Sequence, residues 1–86
     1  MYRLYFTKQA LKDAILLEAA KLDVKCQHML DELIKCPYAG RYERLKGDLE
    51  GCCSRRINLK HRLVYKIYES EKAIKIIRMW SHYDYH

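Results

Sequence analysis

Arg62-Leu63-Val64-Tyr65-Lys66-Ile67-Tyr68-Glu69-Ser70-Glu71-Lys72-Ala73-Ile74-Lys75-Ile76-Ile77-Arg78-Met79-Trp80 reads as two strands around a polar turn, and this reading decides the fold. Residues 62–68 mix β-branched and aromatic side chains with cations at period two. Glu69-Ser70-Glu71 breaks the pattern, and Ala73 to Trp80 resumes it. Upstream, Cys52 to Ile57 has the same character, and Asn58-Leu59-Lys60 forms a tight turn into the next run. Three strands joined by short turns predict an antiparallel meander.

Such a sheet needs a cover, and the first half of the chain supplies one. Tyr2 to Phe6 alternates as a half-buried strand, and Thr7 can cap a helix with apolar positions Leu11, Ala14, Ile15, Ala19 and Leu22. Asp23 can cap a second helix with Cys26, Met29, Leu30, Leu33 and Ile34 on one face, and Pro37 stops it. Tyr38 to Leu49 reads as loop or short strand. The expected fold is α+β: two N-terminal helices packed on a small, mainly antiparallel sheet, as one domain over residues 1–86.

Composition narrows the function classes. The net charge is +6, of which residues 41–66 carry +5. A cationic segment folded onto adjacent strands makes a phosphate-binding surface, although a solvated basic face has the same composition. No apolar run approaches the roughly 20 residues of a membrane span, and no signal peptide is evident, so a cytoplasmic protein is expected. Cys26, Cys36, Cys52 and Cys53 lack zinc-site spacing and read as reduced thiols. Neighbours Cys52 and Cys53 should point to opposite faces of their strand. No metal or cofactor is expected.

Within this frame a few residues carry chemistry. If Arg56 and Arg62 share a face, their planar guanidinium groups suit phosphate oxygens; otherwise they cover an edge or pair with Asp48 and Glu50. Glu43 lies among Arg41, Arg44 and Lys46, which favour its carboxylate form, whether as a base or in a solvated ion-pair network. The segment 80–86 gathers His82, His86, Tyr83 and Tyr85; a histidine there can protonate a leaving oxygen, unless the end is merely frayed. Together these groups fit metal-independent RNA cleavage: Glu43 activates a ribose 2′-hydroxyl, His82 protonates the departing 5′-oxygen, and Lys46, Arg56 and Arg62 stabilise the charged intermediate.

The runs Tyr42-Glu43-Arg44-Leu45-Lys46-Gly47-Asp48-Leu49-Glu50-Gly51, Ser54-Arg55-Arg56-Ile57-Asn58, His61-Arg62-Leu63-Val64-Tyr65 and Arg78-Met79-Trp80-Ser81-His82-Tyr83 resemble the Txe/YoeB branch of the RelE/ParE toxin superfamily. The resemblance covers the second half in register; the helical hairpin agrees only in length and pattern. It implies a RelE-like fold and ribosome-dependent cleavage of mRNA, with translation inhibited as a result. By the same resemblance the general base falls on Glu43, the general acid on His82 and the phosphate-stabilising arginine on Arg62. Lys46 and Arg56 fall on RNA-contact positions, and Tyr83 on a tyrosine that orients the scissile nucleotide. The implied partners are the ribosome and mRNA, and a YefM-like antitoxin through which alone operator DNA is reached; a homodimer stays open.

Two other classes compete with the nuclease. A toxin of similar fold that inhibits a DNA topoisomerase by binding needs no acid or base, so the combination of Glu43, Arg62 and His82 argues against it. A plain ribosome- or RNA-binding module needs only the cationic surface.

Overall fold

The computed structural model describes the backbone of residues 1–82 and the side chains through Trp80. In chain order the elements are β1 (Arg3–Phe6), α1 (Lys8–Ala19), α2 (Asp23–Lys35), β2 (Glu43–Arg44), β3 (Cys53–Arg56), β4 (His61–Tyr68) and β5 (Ala73–His82), with single 3-10 turns at Gly47–Leu49 and Glu69–Glu71. The expected meander is present as β3–β4–β5, and the full sheet runs β1-β5-β4-β3-β2. Every pairing is antiparallel except β1 with β5. The two helices lie on one face, giving the α+β architecture read from the sequence.

Thr7 begins α1 as expected. Its hydroxyl accepts from Ala10 N at 3.0 Å and donates to the Ile77 carbonyl at 2.8 Å, so the cap also fastens the helix to β5. The buried stripe of α1 differs from the expected one. Leu11 and Ile15 are 56% and 69% exposed, whereas Ala10, Asp13 and Leu17 face the sheet. The helix is rotated because Asp13, which a hydrophobicity pattern assigns to solvent, has its partners on β5. In α2 the expected face is seated, with Cys26, Leu30 and Leu33 buried. Asp23 is its first residue rather than a side-chain cap, where its charge complements the helix N-terminus.

The main core lies between the helices and the sheet, where Leu17, Leu30 and Leu33 meet Leu63, Tyr65, Ile74 and Ile76. A smaller cluster of Leu45, Cys52 and Val64 sits on the other face under the 3-10 turn at Gly47–Leu49. Cys53 belongs to the first cluster and Cys52 to the second, as alternation requires.

Beyond Tyr65, paired with Ile76, the β4–β5 register slips, so that Val64 pairs with Arg78. The resulting bulge is held by Asp13. Its Oδ2 accepts from Met79 N at 2.9 Å, Trp80 N at 3.2 Å and Arg78 Nε at 3.0 Å, while Oδ1 accepts from Gln9 Nε2 at 3.0 Å. A bulge leaves backbone donors without ladder partners, and here a fully buried carboxylate takes their place. No described helix is long and apolar enough to cross a membrane.

Candidate active site on the open sheet face

Pairing sets the site. Arg56 stands opposite Arg62, Ser54 opposite Val64, and Glu43 opposite Ser54. Residues directly opposite one another share a face, so Glu43, Ser54, Arg56 and Arg62 all belong to the side away from the helices. Of the two arrangements left open for Arg56 and Arg62, the shared face is the one found. Arg62 Nη1 lies 3.2 Å from Glu43 Oε2 and donates to Ser54 Oγ at 3.3 Å. The Arg62 side chain is 13% exposed and that of Glu43 58%, so the cation is seated and the carboxylate stays open to solvent. Arg62 therefore pairs with Glu43 rather than with Asp48 or Glu50. These groups border a cavity of about 490 Å³ whose walls also include Arg41 and Arg56.

The segment bearing Glu43 is anchored from beneath. Arg55 points to the opposite side of β3 from Arg56 and is buried. Its Nε donates to Tyr65 Oη at 2.9 Å, and its Nη2 donates to the Pro37 and Ala39 carbonyls at 3.0 and 2.5 Å. Gly40 has φ +78, and a Cβ there would come within 3.1 Å of Arg55 Nη1, so both conformation and space call for glycine. The loop is tied a second time where Tyr38 donates to Glu69, which also accepts from Tyr2 and Lys72. Hydrogen bonds from Lys72, Tyr2 and Tyr38 hold the Glu69 carboxyl at about 2.

The other expected residues divide. Lys46 lines a neighbouring hollow of about 430 Å³ with Tyr42, Arg44 and Glu50, not the Arg62 cavity. His82 lies in β5 at the register position opposite His61, one step beyond the pair formed by Arg62 and Ser81. Tyr83 lies outside the described residues. Sequence reasoning missed Arg55 and Asp13 as the groups that hold the site's two supports. For Arg55 the signal was available, because alternation sends one of two adjacent arginines into the core, where it must find acceptors. Among the described residues, no group of three or more His, Cys, Asp or Glu gathers as metal ligands do.

Comparison with known proteins gives a consistent result. Residues 6–83 match the family model for the YoeB-like toxin of bacterial type II toxin–antitoxin systems. Toxin YoeB of Streptomyces coelicolor is 35% identical over 65 residues, covering 73% of this chain and 75% of that protein. The YoeB/ParE toxin from Agrobacterium tumefaciens superposes with a TM-score of 0.85 at 30% identity, over 94% of this chain and 99% of that one. The YoeB–YefM complex from Staphylococcus aureus gives 0.78 at 32% identity, over 96% and 99%. A matched span that takes in both helices and all three strands of the meander leaves one assignment: the chain belongs to the YoeB-like toxins of bacterial type II toxin–antitoxin systems.

Proposed function

We propose that this toxin is a ribosome-dependent endoribonuclease that cuts mRNA without a metal ion and thereby inhibits translation in the cytoplasm. The observation that carries this reading is the 3.2 Å pair of Glu43 and Arg62, set in a cavity that Arg41 and Arg56 make cationic. In RNA the 2′-hydroxyl and the scissile phosphate sit on adjacent carbons of one ribose. A base for the first and a cation for the second must therefore lie within a few ångströms of each other.

Glu43 takes the 2′-hydroxyl proton, and the oxygen attacks phosphorus. Arg62, steadied by Ser54, binds the non-bridging oxygens of the charged intermediate through its planar fork. The bond from phosphorus to the 5′-oxygen then breaks, and His82 supplies that oxygen with a proton. Tyr83 orients the scissile nucleotide, while Lys46 and Arg56 contact the flanking strand. The products are a 2′,3′-cyclic phosphate and a free 5′-hydroxyl. Inhibition would come from a YefM-like antitoxin, the partner with which the Staphylococcus aureus relative is complexed.

Mapping both ends of the cut RNA tests the chemistry, and a 5′-phosphate would exclude it. Single-turnover cleavage on ribosomes should fall roughly 100- to 10,000-fold in Glu43→Gln and in His82→Gln, with ribosome affinity nearly intact. Wild-type rates in both variants would remove the acid–base assignment.

A further inference from the structure

Away from the Arg62 cavity, the open face of β1, β5 and β4 carries a second group of cations and aromatic rings. Two rows cross the three strands in register. One is Tyr5, Lys75 and Lys66, and the other is Arg3, Ala73 and Tyr68. Arg3 stands over the Tyr5 ring at 5.9 Å, and Lys66 Nζ over the Tyr68 ring at 5.4 Å. Arg3, Tyr5 and Lys75 are exposed, and Lys66 and Tyr68 are half-buried.

Ala73 is the short side chain at the centre of this grid. Neighbouring strands lie about 4.8 Å apart, so Arg3 and Tyr68 flank it roughly 10 Å from one another. The floor between them opens a shallow hollow of about 450 Å³, rimmed by Tyr5, Lys75 and Glu71. On β4, Lys66 is four residues from Arg62, about 13 Å along the same face. Between them on β4 stands Val64, buried in the small cluster with Leu45 and Cys52.

We propose that this grid is a second RNA-binding surface, engaging a single-stranded stretch beside the one being cut. The inference rests on the reading of the chain as an RNA-directed toxin. Arg3, Lys66 and Lys75 meet phosphates, and Tyr5 and Tyr68 stack bases beside the Ala73 hollow. Open sheet faces with aromatic residues bind single-stranded RNA in this manner. An acidic protein segment would use the cations and leave the rings idle, which is why the pairing of ring with cation favours RNA.

Fluorescence anisotropy with a single-stranded 2′-O-methyl RNA 20-mer tests it, because that RNA lacks the nucleophile and cannot be cut. Against the wild-type toxin, the variant Arg3→Gln/Lys66→Gln/Lys75→Gln should bind at least about 10-fold more weakly, with its salt slope reduced by about 2. Tyr5→Leu/Tyr68→Leu should lose roughly 5-fold or more at an unchanged salt slope. All five positions lie outside the proposed catalytic groups, so single-turnover cleavage on ribosomes saturated with toxin should stay at the wild-type rate. Unchanged 20-mer affinity in the triple variant would overturn the proposal. So would a loss of affinity confined to an acidic antitoxin peptide. Since the 20-mer is uncleavable, failure of the nuclease reading would show in the Glu43→Gln cleavage assay and not in this one.

Discussion

Arg62 meets Glu43 and Ser54 through a planar guanidinium, whose fork matches the oxygens of a phosphate as a lysine ammonium does not. Arg62→Lys should therefore slow cleavage about 100-fold or more while changing ribosome binding little, as single-turnover and binding assays run in parallel would show. Lys46, in the neighbouring hollow, should behave in the opposite way, with Lys46→Gln weakening binding at a nearly constant rate of cutting. Much of this site was legible in the sequence. Alternation along two strands and a short turn is enough to bring Arg56 opposite Arg62, and a carboxylate among cations stood out as Glu43. What the sequence withheld was which acid Arg62 would meet, because that depends on a two-residue strand too short to show a period. The cysteines give an independent check at this scale. Cys36 is exposed, while Cys26, Cys52 and Cys53 are buried, and burial pushes the Cys26 thiol up to about 11. Alkylation of the native protein should modify one thiol rapidly and the other three only on unfolding.

At the scale of elements, the decisive contact is between α1 and the bulge in β5. Asp13→Ala would leave Met79 N, Trp80 N and Arg78 Nε without their acceptor, a loss of roughly 3 kcal/mol measurable by denaturant unfolding. The pH dependence follows from the same geometry. Burial raises the Asp13 carboxyl, but the bonds from Met79, Gln9 and Arg78 outweigh it and bring the group below its ordinary 3.8. A carboxyl lowered on folding stabilises the protein fully above its unfolded value and loses that contribution as pH falls through the folded one. The wild-type protein should lose stability below about pH 4, and Asp13→Asn should be weaker at neutral pH with a flatter acid limb. An equally steep acid limb in Asp13→Asn would place the titrating group elsewhere. This contact also explains the misread face of α1. A periodicity argument places aspartate outside, so it turned α1 toward Leu11 and Ile15, whereas the buried face of α2, which holds no charge, was read correctly. The strands of the meander were legible because local turns join them. The parallel partnership of β1 with β5 was not, since nothing local encodes a pairing of residues some seventy positions apart.

Across the whole molecule the charge is concentrated, and its effect belongs to encounter more than to equilibrium. A surface with +5 in residues 41–66 should draw both ribosomal RNA and an acidic antitoxin at rates that fall steeply with salt. Stopped-flow association between about 0.05 and 0.3 M salt should show that decline, with dissociation much less affected; a salt-independent on-rate would count against steering. Another consequence lies in the strand order. The last of the described strands, β5, is not at an edge of the sheet but lies between β1 and β4. Two pairings, and the Asp13 contact as well, must therefore wait until Ala73–His82 has emerged, and until then β1 and α1 lack their partner. A nascent chain that ends before Ala73 cannot close its sheet, and with it stays unformed the frame that positions Arg62. If the toxin acts on ribosomes as proposed, it would carry no assembled site while any part of Ala73–His82 had yet to emerge.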